Sequence, residues 1–523
     1  MCLLTPPEPF RGGVSSGEES NMFTEAQTSA SPAPRKLMGT MTLALMVVAM
    51  ASPVGVVVGT VPLMLGVGNG IGTPGAFVLV GVVLVIFAFG YAAMAQALPS
   101  AGGFFGFIRA GLGGRAGLSA GFVATTAYAV ITVFVAALLS YFVSTFFRTR
   151  FGLDLDWAVW GAGLVLIAAL LMFLGVKESA LVTAGFLMIE FAILGALGIA
   201  VVIRRGLPAF PLESFSPTEV FSGSPGFALA LAFLCFVGFE VTAVFTRHVR
   251  NPEKTIGRAT MIGVVILFTT FGLGAWVVLA GFGPEKAIDV AQGPDSGQLV
   301  PMVASENLGA WMGVVFEVVL MTSLLATLIV VFNTTAQYAL NMSRALSPRG
   351  RLAQVHPKHG SPANSGIALA VVICVILVLC RAAGLDPYLK VAAILGVLGS
   401  VAIFALEIMC AVAIFVYFRR TKDRRLSTTA LSPIVAGVSL AAFLAIVLVN
   451  FAGLTGSTSS LVTWSPLLYV VVAAAGWFVG GRRPDFDGGG IDEAPQDRAP
   501  SRTTASSAQT AAAHENEEAP RAQ

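Results

Sequence analysis

Long apolar segments recur along this chain and restrict what it can fold into. Twelve segments of about 18 or more mainly apolar residues follow one another between residues 38 and 480, and a helix needs about 20 such residues to cross the hydrocarbon core of a bilayer. Backbone polar groups inside a bilayer must bond within their own segment, which favours helices. We therefore predict an all-α polytopic membrane protein with twelve transmembrane helices, called spans 1 to 12. The spans are placed at 38–67, 75–98, 116–147, 157–175, 178–203, 226–246, 258–282, 308–338, 365–383, 389–418, 431–453 and 462–480.

The composition agrees with this prediction and speaks against soluble-enzyme chemistry. Hydrophobic residues make up 56% of the chain and charged residues 11%, whereas a soluble domain has about 25% charged residues. The five cysteines have no CxxC spacing and the four histidines lie in loops or a tail, so we find no metal-ligand cluster and no pair of nucleophile and base. We predict no enzyme activity, cofactor or metal site, and the net charge of +3 does not indicate nucleic-acid binding.

Polar segments flank the spans at both ends. Residues 1–36 are rich in Ser, Pro and Glu, without the apolar region of a signal peptide, and residues 482–523 are similarly polar. Both are predicted to be disordered tails, which leaves residues 37–481 as one twelve-helix domain.

Basic residues collect in alternate loops and predict the orientation. Twenty lysines and arginines lie on the side of the two tails, and seven lie in the other loops. The positive-inside rule then makes the first side cytoplasmic, together with both termini. The seven others are Arg148, Arg150, Arg204, Arg205, Lys286, Arg381 and Lys390.

Four glutamates lie within apolar spans: Glu190, Glu240, Glu317 and Glu407. An ionisable residue at the bilayer centre costs about 2.5–3.5 kcal/mol on insertion scales, so these side chains should face the bundle interior, be protonated or lie near an interface. A buried acid that bonds to a neighbouring helix for packing alone explains Glu317 and Glu407 equally well. The surroundings of Glu240 favour a functional role.

Two spans contain helix breakers near their middle. Span 1 has the sequence Ala51, Ser52, Pro53, Val54, Gly55, in which Pro53 cannot donate to the helix. Span 6 has Phe236, Val237, Gly238, Phe239, Glu240, and glycine weakens a helix by about 1 kcal/mol relative to alanine. Breaks in corresponding positions of two five-helix halves indicate a midplane binding site.

Four segments resemble the amino acid–polyamine–organocation superfamily of permeases. The end of span 2 and its loop contain YAAM and, further on, AGGFF; span 6 contains FLCFVGFE; the next loop contains Asn251-Pro252 and Thr255-Ile256; and the loop after span 8 contains VHPKHGSP. The resemblance covers residues 36–480, and the order and spacing of the segments are more specific than any one of them.

The resemblance implies two inverted five-helix repeats, about 38–203 and 226–418, and two terminal helices, about 431–480. It also implies a substrate site between the broken middles of spans 1 and 6, where helix N-termini hold a carboxylate and carbonyl groups face an ammonium group. Phe236 or Phe239 would act as an aromatic gate, with packing as the alternative. Transferred to this chain, the site comprises Ala51, Ser52, Pro53, Val54, Gly55, Tyr128, Phe236, Val237, Gly238, Phe239 and Glu240.

Some residues depart from the family pattern. Arg247 and His248 replace an acidic pair, Gly257 replaces a proline, and Ala-Ser-Pro stands where many members have Gly-x-Gly. Some proton-coupled members have a lysine in span 5 at the position of Glu190. Because span 5 contains no other charged residue near it, we predict Glu190 as the coupling group, which takes up a proton on one side and releases it on the other. In the competing sodium account, the hydroxyls of Thr322 and Ser323 would act with carbonyls of span 1.

The expected function is secondary active transport of an amino acid or related small amine across the cytoplasmic membrane, coupled to protons or sodium, with the bilayer and the substrate as partners. An exchanger or facilitator for another organic solute is an alternative. A sensor or channel that does not transport is a third possibility, although neither tail has the apolar content of a signalling domain.

Overall fold

The structure is a computed structural model that describes residues 39–98, 104–175, 180–240, 249, 252–347, 349–357, 359–423, 425–449, 451 and 459–482. The predicted N-terminal tail, almost all of the C-terminal tail, the loop residues 99–103 and the segment 241–248 with Arg247 and His248 lie outside these ranges. The regular elements of the described part are all helical. Numbered in chain order, the α-helices are α1 (Thr40–Met50), α2 (Pro53–Gly59), α3 (Val61–Val67), α4 (Thr73–Ala97), α5 (Phe104–Leu112), α6 (Gly114–Phe151), α7 (Trp157–Phe173), α8 (Ala180–Arg205), α9 (Pro217–Val220), α10 (Pro225–Leu234), α11 (Pro252–Phe282), α12 (Pro284–Gln292), α13 (Leu299–Leu308), α14 (Ala310–Leu346), α15 (Ala363–Ala382), α16 (Ala393–Arg420), α17 (Ser432–Val449), α18 (Ser460–Thr463) and α19 (Leu467–Gly481).

Nine helical segments of the described residues are long and apolar enough to cross a membrane. They coincide with predicted spans 1, 2, 3, 5, 7, 8, 9, 10 and 11. Three shorter apolar helices, α7, α10 and α19, lie at predicted spans 4, 6 and 12. An all-helical polytopic membrane architecture is thus present, while the number of twelve spans and the repeat arrangement stay predictions. The nine segments are Thr40–Gly59, Gly70–Ala97, Gly114–Phe151, Ala184–Arg205, Lys254–Phe282, Ala310–Leu346, Ala363–Ala382, Pro387–Arg420 and Ser427–Val449.

The two broken segments lie at the centre of the bundle. Every residue of α2 is buried, and so is every residue of α10 after the first. The helix α10 packs against α4, α16 and α17, and α2 packs against α14, α11 and α8. The outer helix α15 instead exposes Val371, Val375 and Val378 on one stripe. Since soluble proteins rarely expose large apolar surfaces, this face is suited to contact with lipid.

Glycines allow the closest helix approaches. A Cβ atom on Gly111 of α5 would stand 2.3 Å from the main-chain oxygen of Ala413 in α16. A Cβ on Gly81 of α4 would stand 2.3 Å from the Cβ of Phe268 in α11. Small residues are needed at such contacts, because helices in lipid associate through close packing rather than through exclusion of water.

Several boundaries differ from the sequence prediction. The helix α11 begins at Pro252, so Thr255 and Ile256 are helical rather than part of a loop, in line with the preference of proline for the first turn. In span 6 the helix ends at Leu234, and irregular turns follow up to Glu240. The short helices α5, α12 and α13 lie in connections that we predicted as loops.

Candidate functional site at two helix breaks

Span 1 is interrupted at Ser52. The helix α1 ends at Met50, and Ser52 adopts a left-handed conformation with φ 52° and ψ 77° before α2 begins at Pro53. The Ser52 hydroxyl accepts a hydrogen bond from the Gly55 N–H at 3.2 Å, and Pro53 has no N–H that would need a partner. A serine cap and a proline at the first helical position together let the chain restart as a new helix.

Glu190 of α8 reaches this break from the side. Its side chain is buried, and its Oε2 atom accepts a hydrogen bond from the Val54 N–H at 3.0 Å. Its Oε1 atom accepts a short hydrogen bond from the hydroxyl of Ser323 in α14. The Ser323 and Ser52 hydroxyl oxygens are 2.5 Å apart. One carboxyl group therefore connects α2, α8 and α14.

The N–H groups in the first turn of α2 all have partners. The Val54 N–H donates to Glu190, the Gly55 N–H to the Ser52 hydroxyl, and the Val56 N–H to the Ser52 main-chain oxygen at 2.9 Å. A carboxylate from a solute would have to displace Glu190 or Ser52 to bind at these donors. Glu190 thus occupies the position at which an external anion would be expected.

Span 6 is interrupted at Gly238, which has φ 118°. The Gly238 N–H donates to Glu240 Oε2 at 2.8 Å, and the Tyr128 hydroxyl of α6 donates a short hydrogen bond to Glu240 Oε1. The Tyr91 hydroxyl of α4 donates to the main-chain oxygen of Glu240 at 2.6 Å. Both tyrosines therefore bind to Glu240 at the second break. Of the two, only Tyr128 was among the residues predicted for the site.

The two breaks face each other. A Cβ atom on Gly238 would stand 3.6 Å from the Cβ and Cε atoms of Met50, the last residue of α1. Behind the second break, Tyr338 stacks on Tyr128 with ring centroids 5.1 Å apart. The structure thus places Gly238 of the predicted segment 236–240 beside Met50, the residue that precedes the predicted segment 51–55.

Glu407 of α16 adds a third buried carboxyl group near this centre. It is fully enclosed and lies close enough to Glu240 for the two groups to interact electrostatically. Its Oε2 atom has no hydrogen-bond partner in the described part of the chain. The sequence placed Glu407 within a span but did not indicate that it is close to Glu240.

The two phenylalanines of span 6 pack into the core. Phe236 makes an edge contact with Phe271 at 5.5 Å, and Phe239 lies at 6.1 Å from Phe87 and at 6.2 Å from Tyr91. These contacts agree with the packing alternative, and an aromatic gate stays a prediction.

Other polar residues of the spans lie away from the centre. Glu317 pairs with Arg150 of α6 at 3.1 Å. The Thr322 hydroxyl is exposed and donates to carbonyl groups of its own helix.

Tyr388 contacts the end of α2 and was not predicted from the sequence. Its hydroxyl donates to the Gly59 oxygen at 2.9 Å, and its ring stacks on Tyr141 with ring centroids 4.7 Å apart. No group of three or more His, Cys, Asp or Glu side chains suited to a metal occurs in the described residues.

Comparison with known proteins identifies the family. The family model for amino acid permeases matches residues 38–477. The chain belongs to the amino acid permease family. This permease is 24% identical over 331 residues to branched-chain amino acid permease BcaP of Bacillus subtilis (strain 168), an alignment that covers 59% of the chain and 68% of that relative.

Two further relatives match shorter parts of the permease. Branched-chain amino acid permease BcaP of Lactococcus lactis subsp. cremoris (strain MG1363) is 24% identical over 231 residues, 40% of the chain and 49% of the relative. An uncharacterized transporter of Mycobacterium tuberculosis (strain ATCC 25618 / H37Rv) is 24% identical over 202 residues, 39% of the chain and 44% of the relative. The permease is accordingly a multi-pass membrane transporter of the amino acid permease family and not an enzyme.

Proposed function

We propose that the permease is a proton-coupled secondary transporter of an amino acid or a related small amine. It works by alternating access around the breaks at 51–55 and 236–240. The observation that carries the proposal is the contact of Glu190 with both α2 and α14, because a change of charge at this one carboxyl acts on the broken helix and on its neighbour. The proposal includes twelve spans in two inverted repeats, the cytoplasmic membrane as location, and both termini in the cytoplasm.

The proposed substrate is an amino acid with an aliphatic side chain. Two relatives are named branched-chain amino acid permeases. The side chains of Val54, Phe236 and Phe239 surround the breaks with apolar surface, which suits an aliphatic group. Glu240, at the second break, would face the ammonium group of the substrate.

Proton uptake by Glu190 would weaken the hydrogen bonds that connect Glu190 to α2 and α14. A carboxylate accepts hydrogen bonds at both oxygens, whereas a carboxylic acid has one oxygen that donates. Either the bond from the Val54 N–H would then be lost, or the Ser323 hydroxyl would accept from the carboxylic acid instead of donating to it. Hydrogen bonds to a charged group contribute about 1.5–3 kcal/mol, so protonation changes the balance between conformations by an amount typical of coupled sites.

The test is uptake into proteoliposomes with and without a proton gradient. Glu190→Gln should abolish accumulation driven by the pH gradient and preserve exchange of solute between the two sides, because the amide keeps the shape but cannot carry the proton. Accumulation by Glu190→Gln at the wild-type level would contradict the coupling role.

Sodium coupling is the second candidate, because oxygen atoms of Ser52, Ser323 and Glu190 lie together at the first break. Uptake that follows a sodium gradient, is lost in Ser323→Ala and is kept in Thr322→Ala would favour it. Thr322 is the matched control, since its hydroxyl bonds within its own helix. Exchange that responds to neither gradient would instead indicate an exchanger or facilitator.

A further inference from the structure

A large apolar groove lies between α8 and α11, outside the two breaks. Its volume is about 1170 Å³, above the range of about 300–1,000 Å³ usual for small-molecule pockets. The α8 wall includes Phe191, Gly195, Gly198 and Val202, which repeat at helical spacing and so lie on one face. The opposite wall includes Gly274 and Val277 of α11.

Missing side chains create this groove. A Cβ atom on Gly195 would meet nothing within 4 Å, and a Cβ on Gly198 would meet only Val277 Cγ2, at 3.5 Å. Its lining residues Leu207, Leu212 and Leu273 are 72%, 76% and 50% exposed. Leu273 lies within span 7, so its exposed side chain faces lipid and the groove opens sideways into the bilayer there. Leu207 and Leu212 lie in the connection that follows α8.

The groove is longer than the depth of one leaflet of the hydrocarbon core. From Phe191 to Arg205 the α8 wall advances fourteen residues, or about 21 Å at 1.5 Å per residue. One leaflet contributes about half of the hydrocarbon core of about 30 Å. A chain that enters at Arg205 can therefore reach the middle of the bilayer.

The outer end of the groove is polar and cationic. A second cavity of about 440 Å³ is lined by Arg204, Arg205, Glu306 and Asn307, and Arg205 lines both cavities. Glu306 accepts from Arg205 at 2.5 Å and from Lys286 at 3.1 Å, while Arg204 donates to the main-chain oxygen of Glu306.

Three cationic side chains thus surround one carboxylate. Glu213 is the other charged residue that lines the groove in the described part of the chain. Arg204, Arg205 and Lys286 against Glu306 and Glu213 give this cluster a net charge of +1. A pocket with a cationic end and a long apolar body matches an amphiphile with an anionic group, such as the phosphate of a phospholipid.

We propose that this groove binds a phospholipid, with an acyl chain along α8 and α11 and the phosphate at Arg204 and Arg205. The bound chain would contact Val57 of α2 and Phe191, the residue after Glu190. It therefore lies against the segment that follows the first break and excludes water from the side of Glu190.

The test is lipid binding by the purified full-length protein, measured by mass spectrometry of the complex released from detergent. Dioleoyl phosphatidylglycerol is the probe, titrated into delipidated protein. Gly195→Trp places a ring in the groove, and Gly163→Trp in α7 is the matched control, because a Cβ there also meets nothing within 4 Å and Gly163 does not line the groove. If the tryptophan ring displaces two methylene groups of the bound acyl chain, binding of the lipid should weaken about tenfold.

Tighter binding by wild type and Gly163→Trp than by Gly195→Trp supports the proposal. Gly195→Leu provides a milder substitution should the tryptophan variant fail to fold. Arg204→Gln should also weaken binding of the probe, and inorganic phosphate alone should not bind measurably. Equal lipid binding by wild type and both Gly195 variants would overturn the proposal. A loss of lipid binding in Gly163→Trp as large as that in Gly195→Trp would overturn it too.

Discussion

Three carboxyl groups are buried near the two breaks, and one of them differs from the others in its partners. Glu190 and Glu240 accept hydrogen bonds at both oxygens. Glu407 leaves Oε2 without a partner among the described residues. A buried polar group without a hydrogen bond is destabilising by about 1–3 kcal/mol, so Glu407 should reduce the stability of the fold.

Replacing Glu407 by leucine should therefore stabilise the protein. The substitution removes an unpaired buried oxygen and keeps a side chain of similar size, and we expect an increase of about 1–3 kcal/mol in the free energy of unfolding. Thermal unfolding in detergent should show a higher Tm. Glu317→Leu is the comparison, because it breaks the pair with half-exposed Arg150 and should lower the Tm slightly or leave it unchanged. A lower Tm for Glu407→Leu would show that Glu407 contributes a favourable interaction.

At the level of the helices, the features that depend on the local sequence pattern, such as span lengths and one helix break, could be predicted from the sequence. Span lengths follow from apolar runs, and the break before Pro53 follows from a proline without an N–H. The short helix α5 was missed because nine residues cannot span a bilayer and the segment was interpreted as a loop. Its buried residues Phe104, Phe107, Ile108 and Gly111 have helical spacing, a signal that could have found it.

The contacts between helices could not be predicted in the same way. Ser323 lies 133 residues from Glu190, and Tyr128 lies 112 residues from Glu240. Hydropathy has little power to place two such residues together, because it does not give the rotation of a helix about its axis. Gly238 indicated the break at 236–240 and the family resemblance indicated Tyr128, but the partner of each polar group comes from the structure alone.

The substitution Gly238→Leu tests whether the second break is needed for transport. Gly238 has φ 118°, and a residue with a side chain held in such a conformation is strained by about 1–3 kcal/mol. The side chain would also project toward Met50 at the other break. We expect uptake to be abolished while the protein still inserts and is expressed.

The control is Gly163→Leu, because a Cβ atom at Gly163 meets nothing within 4 Å, and this variant should leave uptake unchanged. Wild-type uptake by Gly238→Leu at equal expression would show that the second break is not part of the binding element.

At the scale of the whole molecule, most of the basic residues that are predicted to lie outside form ion pairs. Of the seven basic residues predicted outside, Arg150, Arg205, Lys286 and Arg381 form ion pairs with carboxylates. The partners are Glu317, Glu306 and Asp156. These pairs lower the net positive charge on a side that already has few basic residues, but the orientation prediction rests on the number of Lys and Arg residues alone.

The orientation can be tested with single cysteines in a background without the five native ones. Thr421 follows α16 in the basic segment 419–425 and is exposed, whereas exposed Asp154 lies between α6 and α7 in a loop predicted to face outward. Because twenty of the twenty-seven basic residues in the loops and at the tail junctions lie on the side of Thr421, that side should be cytoplasmic. An impermeant thiol reagent added to intact cells should label Asp154→Cys and leave Thr421→Cys unlabelled until the membrane is permeabilised. Ready labelling of Thr421→Cys from outside would mean that the spans have been counted wrongly, since an odd number of missing or added spans before α16 inverts the side on which this segment lies.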